Sequence, residues 1–324
     1  MDLILWITAI VAGFGLLVWG ADRFVHGAAA IARNLGVSTL VIGLTIVGFG
    51  TSAPEMLVSA MAAWGGNSDI GVGNAIGSNI ANIGLVVGAT AIIMPLEVHS
   101  RLLRREFPVL LVAMVGALAL MWDGELSRID GVVLFGALVV IIIWMVWLGR
   151  HPQAEEPLIA EFEAEIPPPA PMGPAVFWFV VGLAVLLLSS RMLVWGAVHI
   201  AQAMGVSDLV IGLTIVAIGT SLPELAASVA GALKNEHDIA IGNVIGSNMF
   251  NLLAVMAMPG LISPGEFAES VLTRDYPVMI VITLAMLGMA YGFRKAGKVS
   301  RSEGVVLLVA YFGYLAWLFI VDNG

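Results

Sequence analysis

Cysteine is absent from this 324-residue chain. Disulfides and thiolate metal sites are therefore excluded, and the redox compartment is not readable from it. Charge is also scarce: Asp, Glu, Lys and Arg make up 11% of the residues, against 60% hydrophobic. With a mean hydropathy of +1.00, no soluble domain of this size is compatible with that balance. The five histidines are scattered, with no second ligand at metal spacing. His26, His99, His151 and His237 fall near segment ends or in loops, and His199 receives no role. No HExxH motif and no pair of membrane-embedded aspartates is present, so no enzyme is expected, and no cofactor. Neither a nucleic-acid partner nor an obligate protein partner is expected.

What the chain does have, it has twice. GVSTLVIGLTIVGFGTSAPE ends at Glu55 and GVSDLVIGLTIVAIGTSLPE ends at Glu224, 169 residues later, with 16 of 20 positions identical. A second block keeps the same offset: DIGVGNAIGSNIAN (Asp69 to Asn82) against DIAIGNVIGSNMFN (Asp238 to Asn251), 9 of 14 identical. Pro95, Glu97, Arg105, Glu106 and Pro108 match Pro264, Glu266, Arg274, Asp275 and Pro277. After a four-residue change of offset, Arg128-Ile-Asp-Gly matches Arg301-Ser-Glu-Gly. Internal duplication in a membrane chain marks a transporter whose binding site lies where the repeats meet.

Apolar segments long enough to cross a bilayer fall at about 3–21, 38–63, 70–94, 106–121 and 130–148, then at about 175–196, 207–232, 239–262, 275–292 and 303–321. The expected architecture is an all-α membrane protein of ten transmembrane helices in two five-helix repeats, residues 1–148 and 175–324. An odd number of helices per repeat inserts the second copy upside down relative to the first. Between them, residues 149–174 form a linker too rich in glutamate and proline to build a core, and so exposed. A small regulatory calcium-binding segment is the alternative there, but no calcium-loop spacing supports it. With the N-terminus outside, 11 basic residues face the cytoplasm and only Arg128, Arg191 and Arg274 do not. Both termini are thus expected outside and the linker inside. The first segment carries Asp2 and no Lys or Arg at its head, so it is expected to be a retained span rather than a signal peptide.

Of the 23 carboxylates, only Glu55 and Glu224 lie near the middle of apolar segments, where each costs on the order of 3 kcal/mol. No Lys or Arg lies deep in a segment to pair with them. Such a carboxylate is protonated, or faces a wet cavity and binds a cation; hydrogen-bonding a neighbouring helix is the competing reading for a lone one, but two at matched positions argue against that. Pro54 and Pro223 break the local helix and release the carbonyls of Gly50 and Gly219. Thr45, Ser52 and Ser59 share a face, repeated by Thr214, Ser221 and Ser228, while Thr51 and Thr220 precede their glutamates by one turn. For any one of these hydroxyls, back-bonding to its own helix is the competing reading. Asn74, Ser78 and Asn82, repeated by Asn243, Ser247 and Asn251, make a second polar face, and Gly73 with Gly77 and Gly242 with Gly246 allow close helix approach. Asn79 and Asn248 point elsewhere, with packing as their expected role. The ligand set is all oxygen, which suits Ca²⁺ or Na⁺ and not zinc or copper. Two bidentate glutamates with the carbonyls of Thr51 and Thr220 give about six oxygens, within the calcium range.

The paired Gly-Thr-Ser-x-Pro-Glu and Gly-Ser-Asn-x-x-Asn blocks resemble the two alpha repeats of the sodium/calcium exchanger family, among the calcium/cation antiporters, in its prokaryotic form. The resemblance covers essentially the whole chain. It implies ten helices in inverted repeats, with four ion sites between the second, third, seventh and eighth. It further implies a calcium site of Glu55, Glu224, Thr51 and Thr220. Sodium sites would draw on Ser52, Ser78, Ser221, Ser247, the carbonyls of Gly48 and Ala217, and the same glutamates, with Asn82 and Asn251 flanking the centre. The implied activity is alternating-access exchange of Na⁺ for Ca²⁺ across the cell membrane. Many relatives, the potassium-dependent branch included, carry Asp where this chain has Asn251, so potassium dependence is not expected. The linker is too short for the calcium-sensing domains of larger relatives. A proton-coupled calcium antiporter using both glutamates is the alternative, but its Gly-Asn-x-x-Glu setting is missing; a channel would need a filter ring or continuous pore.

Overall fold

A computed structural model describes residues 2–36, 52–98, 100–149, 170–233, 237–291 and 297–322. It is built from long apolar helices. Helix α1 spans Asp2–Asn34, α2 Ala53–Trp64 and α3 Ser68–Ile93. Strand β1 (Leu96–Glu97) leads to α4 (Ser100–Leu120), and β2 (Glu125–Leu126) to α5 (Arg128–Gly149). After the linker come α6 (Met172–Met204) and α7 (Asp208–Leu233). Helix α8 runs through His237–Phe250, Asn251–Val255 and Ala257–Ile262. Strand β3 (Gly265–Glu266), α9 (Val271–Tyr291), β4 (Lys298–Val299) and α10 (Arg301–Asp322) complete the chain. Among the described residues, α1, α3, α6, α7, α8, α9 and α10 are long and apolar enough to cross a membrane, and α4 adds the shorter stretch Glu106–Leu120. Most of the expected segment 38–63 and of the linker lies outside the described residues.

Two boundaries differ from the sequence reading. Helix α1 continues past residue 21 to Asn34, so Arg23 and Arg33 belong to the helix and not to a loop. Helix α6 begins at Met172 and is equally long, 33 residues. At 1.5 Å per residue each measures about 50 Å, well beyond a hydrocarbon layer of about 30 Å. Apolar run length marks only the part that lipid requires; the helix itself continues until backbone chemistry stops it. Here the stop is a glycine in the left-handed region, Gly36 (φ +79°) and its counterpart Gly205 (φ +66°).

These two helices pack on each other antiparallel. Glycines 13, 20 and 27 recur at seven-residue spacing, and a Cβ added to each would meet Leu193, Leu186 and Phe179 in that order. Gly182 and Gly196 return the contact, against Phe24 and against Trp6 and Ile10. Between helices in lipid there is no hydrophobic drive, so close backbone approach through small residues is what binds the pair.

Elsewhere the two halves are tied together by matched pairs of contacts. Strand β1 pairs with β4 (Leu96 opposite Val299) and β3 pairs with β2 (Gly265 opposite Leu126); these are the same connection made once in each direction. With α4 between β1 and β2, the two ribbons sit at opposite ends of the bundle, about 30 Å apart. Helices α5 and α10 begin with equivalent caps. Ser127 Oγ and N donate to Asp130 (2.6 and 2.9 Å), and Ser300 Oγ and N donate to Glu303 (2.7 Å each). Such caps contribute about 1 kcal/mol each. Gly131 of α5 packs on Leu261 of α8, and Gly304 of α10 packs on Gly88 of α3.

The contact that brings the repeated motifs together lies between α3 and α7. A Cβ on Gly73 would stand 2.5 Å from the Leu209 carbonyl, and one on Gly212 would stand 2.5 Å from that of Ile70. Gly77, one turn on, faces the Leu213 backbone and Ala217. The small-residue pair read from the sequence thus finds its neighbour in the other repeat.

Candidate cation site

Each glutamate sits just past a loosened turn. Ser52 adopts φ −93°, ψ 3° at the head of α2, and Ser221 adopts φ −84°, ψ 3° within α7. Both values fall in the bridge region between helix and strand. The prolines two residues later account for this, because they lack an N–H and crowd the preceding turn. Regular helix then resumes in both, with Met56 N donating to Ser52 O and Leu225 N to Ser221 O, each at 3.1 Å. Glu55 and Glu224 project from that first regular turn and are each only 1% exposed.

Matched side chains pin these turns to the adjoining helix. Asn74 Nδ2 donates to the Glu55 carbonyl at 3.1 Å, and Asn243 Nδ2 to that of Glu224 at 3.2 Å. Ser59 Oγ donates to Gly71 O at 2.9 Å, and Ser228 Oγ to Ala240 O at 3.2 Å. Ser59 and Ser228 therefore hold α2 to α3 and α7 to α8. Thr214 back-bonds to Val210 O at 2.6 Å within its own helix.

Around the glutamates the halves interlock. Asn74 Oδ1 accepts from Thr220 Oγ1 (3.2 Å) and from Ser78 Oγ (3.4 Å). Thr220 also reaches the Glu55 carboxylate, which lies within electrostatic range of Glu224. Ser247 Oγ donates to Glu224 Oε1 at 3.3 Å. The fold thus gathers Glu55, Ser78, Thr220, Glu224 and Ser247. The Ala217 carbonyl accepts from Ser221 N (3.1 Å) and is approached by Thr220 Oγ1 (3.4 Å), so part of its capacity is already used inside α7. Gly48 and Thr51 lie outside the described residues.

Asn82 and Asn251 each open a π-helical turn, Asn82–Val87 in α3 and Asn251–Val255 in α8. Such turns place an extra residue in the helix and occur often at functional sites. Nothing in composition or periodicity announces them. Both asparagines are 1% exposed.

Several buried polar atoms here have no hydrogen-bond partner among the described residues: Ser52 Oγ, Ser221 Oγ, Glu55 Oε2, Asn82 Oδ1 and both amide atoms of Asn251. An unsatisfied buried polar group costs about 1–3 kcal/mol. All of these atoms but the Asn251 nitrogen are oxygens, and such a set beside two carboxylates is of the type that suits a hard cation.

Two residues were misjudged or missed from the sequence. Asn248, expected to pack elsewhere, accepts a hydrogen bond from Asn82 Nδ2 at 3.0 Å through its Oδ1. Asp275 is a further buried carboxylate, held by Arg274 at 2.7 and 3.1 Å and by Tyr314 Oη at 2.9 Å. Its placement at a segment edge disguised its burial. The adjacent arginine was the available signal that its charge is compensated.

The sequence profile of the family described as sodium/calcium exchanger protein matches residues 5–147 and 174–320. The chain belongs to the sodium/calcium exchanger family. It is 52% identical over 311 residues to CaxA of Alkalimonas amylolytica, a provisionally assigned antiporter, covering 96% of this chain and 97% of that one. It is 33% identical over 356 residues to the sodium/calcium exchanger MaX1 of Methanosarcina acetivorans, covering 96% and 98%. Among solved structures it resembles the sodium–calcium exchanger NCX_Mj soaked with 100 mM Na⁺ and 10 mM Sr²⁺, with a TM-score of 0.63 and 35% identity over 97% of this chain and 98% of that one. The family is one of cation antiporters in the membrane.

Proposed function

We propose that the protein exchanges Na⁺ for Ca²⁺ by alternating access, with Glu55 and Glu224 as the shared ligands. The observation that carries this reading is the convergence of the two matched, buried glutamates among hydroxyl and amide oxygens that lack partners among the described residues. Ca²⁺ takes the two carboxylates, with Thr220 and, by analogy, Thr51 completing its shell. Na⁺ takes Ser52, Ser78, Ser221 and Ser247 with the same carboxylates and the carbonyls of Gly48 and Ala217; Asn82 and Asn251 flank the centre. Both ions need the same glutamate oxygens, so full loading by one excludes the other, and coupling takes the form of exchange. An empty pair of carboxylates is expensive to enclose in low dielectric, which suppresses movement without cargo.

The membrane arrangement proposed with it is ten spans, as inverted repeats at 1–148 and 175–324, joined by a cytoplasmic linker at 149–174 with both termini outside. The antiparallel packing of α1 on α6 and the two ribbons at opposite ends of the bundle support an inversion. The test of function is ⁴⁵Ca²⁺ uptake into proteoliposomes loaded with Na⁺, with choline, or with a pH gradient only. Uptake confined to the Na⁺-loaded vesicles is expected. Uptake driven by the pH gradient alone would overturn sodium coupling in favour of proton exchange through the same glutamates.

A further inference from the structure

The last matched asparagines of the two halves are held differently. Asn82 Nδ2 donates to Asn248 Oδ1 across the repeat boundary at 3.0 Å. Its own Oδ1 has no partner among the described residues. The counterpart of Asn248 in the first half is Asn79, and its Nδ2 turns back to the Ala75 carbonyl of its own helix at 3.0 Å. Nothing equivalent reaches Asn251, whose two amide atoms both lack a partner among the described residues.

A primary amide is a planar fork with donor and acceptor on opposite arms. Fixing the N–H arm fixes where the oxygen points. Asn82 lies on the face of α3 that also carries Asn74 and Ser78, and those two meet Glu55 and Thr220. With its N–H arm engaged by Asn248, its oxygen is left for that face. Among the described residues nothing restrains Asn251 in this way, and it can turn either arm inward.

We propose that Asn248 is a positioning residue for the cation site. By accepting the Asn82 N–H it holds the Asn82 oxygen as a preset ligand for a hard monovalent cation, while the matched amide of Asn251 stays adjustable. The site then contains one rigid and one adaptable amide, although the two blocks that supply them are near copies. Groups that orient a ligand from behind typically change metal affinity by about 10–100-fold when removed. A neutral amide holding a monovalent ion belongs at the lower end of that range.

The inference rests on the cation reading above, and the experiment separates the two. Equilibrium ⁴⁵Ca²⁺ binding, and its displacement by Na⁺, would be measured on the purified full-length protein and on Asn248→Ala, Asn79→Ala, Asn82→Ala and the Asn82→Ala/Asn248→Ala double variant. The Na⁺ concentration for half-displacement should rise about tenfold in Asn248→Ala and stay within about twofold of wild type in Asn79→Ala. The double variant should be no worse than Asn82→Ala alone, because Asn248 acts through Asn82. Should the alanine protein not fold, Asn248→Leu removes the acceptor at similar size. Equal effects at 248 and 79, or additive effects in the double variant, would overturn the positioning role. A wild-type protein that binds no Ca²⁺, or holds it against Na⁺, would overturn the cation reading and the inference with it.

Discussion

The half before the linker and the half after it agree at their turns, caps and ribbons and differ in the partners that their repeated polar side chains find. The turns at Ser52 and Ser221 share their dihedral angles to within about ten degrees, and the bonds from Asn74 and Asn243 to the glutamate carbonyls differ by 0.1 Å. The serine caps of α5 and α10 and the two ribbons are equally matched. Ser78 and Ser247 do not match: one bonds Asn74, the other the Glu224 carboxylate itself. Phe14 of α1 presses its ring on Gly219, beside Thr220, where the equivalent residue of α6 is Leu183. Asp275 is clasped by Arg274 and Tyr314, yet at the position equivalent to Tyr314 the first half has Ile141. A duplicated scaffold can be kept by repeating the same short-range bonds. The repeated polar side chains meet from opposite sides of the seam between halves, so identical residues find different partners there.

The strongest way to break the comparison is at the glutamates. Glu55→Gln and Glu224→Gln should each reduce Na⁺-dependent Ca²⁺ flux to background in proteoliposomes. Each also removes a buried charge, so thermal stability should hold or rise. Near-normal flux in either purified variant would show that only one half supplies the essential carboxylate.

Next in size is the seam between halves. Gly73→Ala and Gly212→Ala each drive a methyl group against a facing backbone carbonyl at 2.5 Å. Backbone cannot move aside like a flexible side chain, so each should lower stability by about 1–3 kcal/mol. Ser78 should separate from Thr220, with a parallel fall in Ca²⁺ affinity. Thermal melting and ⁴⁵Ca²⁺ binding measure the two effects, and an unshifted melting curve would mean that α3 and α7 are less closely packed than described.

A smaller and conditional effect is expected at Asn251, where the amide has no partner among the described residues. With Asn251 flanking the proposed centre, Asn251→Asp places a third carboxyl near two others. Protonated, it resembles the native amide and exchange should proceed; ionised, it adds a charge that the cycle is not balanced for. Flux should therefore decline as pH rises from 6 to 9, more steeply than in wild type, and added K⁺ should restore part of it. Superimposable profiles with and without K⁺ would place Asn251 outside the ion cluster.

Much of this was legible in the sequence, and the division follows a physical line. The duplication, the apolar runs, the paired glutamates, the proline-loosened turns and the polar face of α3 all depend on residues close together in the chain. The partner of Gly73, the burial of Asp275 and the bond between Asn82 and Asn248 depend on residues far away in it. The tripeptide Gly-Ser-Asn makes the case most directly, since it stands at 77–79 and again at 246–248. Its first asparagine bonds its own helix, and its second bonds Asn82 across the molecule. No periodicity separates the two, because the strings are the same. The π turns at Asn82 and Asn251 escaped for a related reason: an inserted residue in a helix is a response to packing, and the helical pattern of three to four hides it.

The finest test of the comparison lies in the serine pair that fastens each glutamate helix to its neighbour. Among the described residues, Ser59 Oγ makes one bond, to Gly71 O. Ser228 Oγ has two, donating to Ala240 O and accepting from Asn243 Nδ2 at 3.1 Å. Removing a hydroxyl loses about 1 kcal/mol per net hydrogen bond, and more where a buried partner is stranded. Ser59→Ala should therefore lower stability by about 1 kcal/mol. Ser228→Ala should cost somewhat more, tempered because Asn243 Nδ2 keeps its bond to the Glu224 carbonyl at 3.2 Å. Neither hydroxyl is assigned to an ion, so half-saturating Ca²⁺ and Na⁺ concentrations should stay within about twofold of wild type, as measured by ⁴⁵Ca²⁺ displacement. Equal losses of stability would mean that the extra bond at Ser228 contributes nothing and that the halves are matched here too. A tenfold loss of Ca²⁺ affinity in either variant would move its serine from the fastening of the scaffold into the ion site.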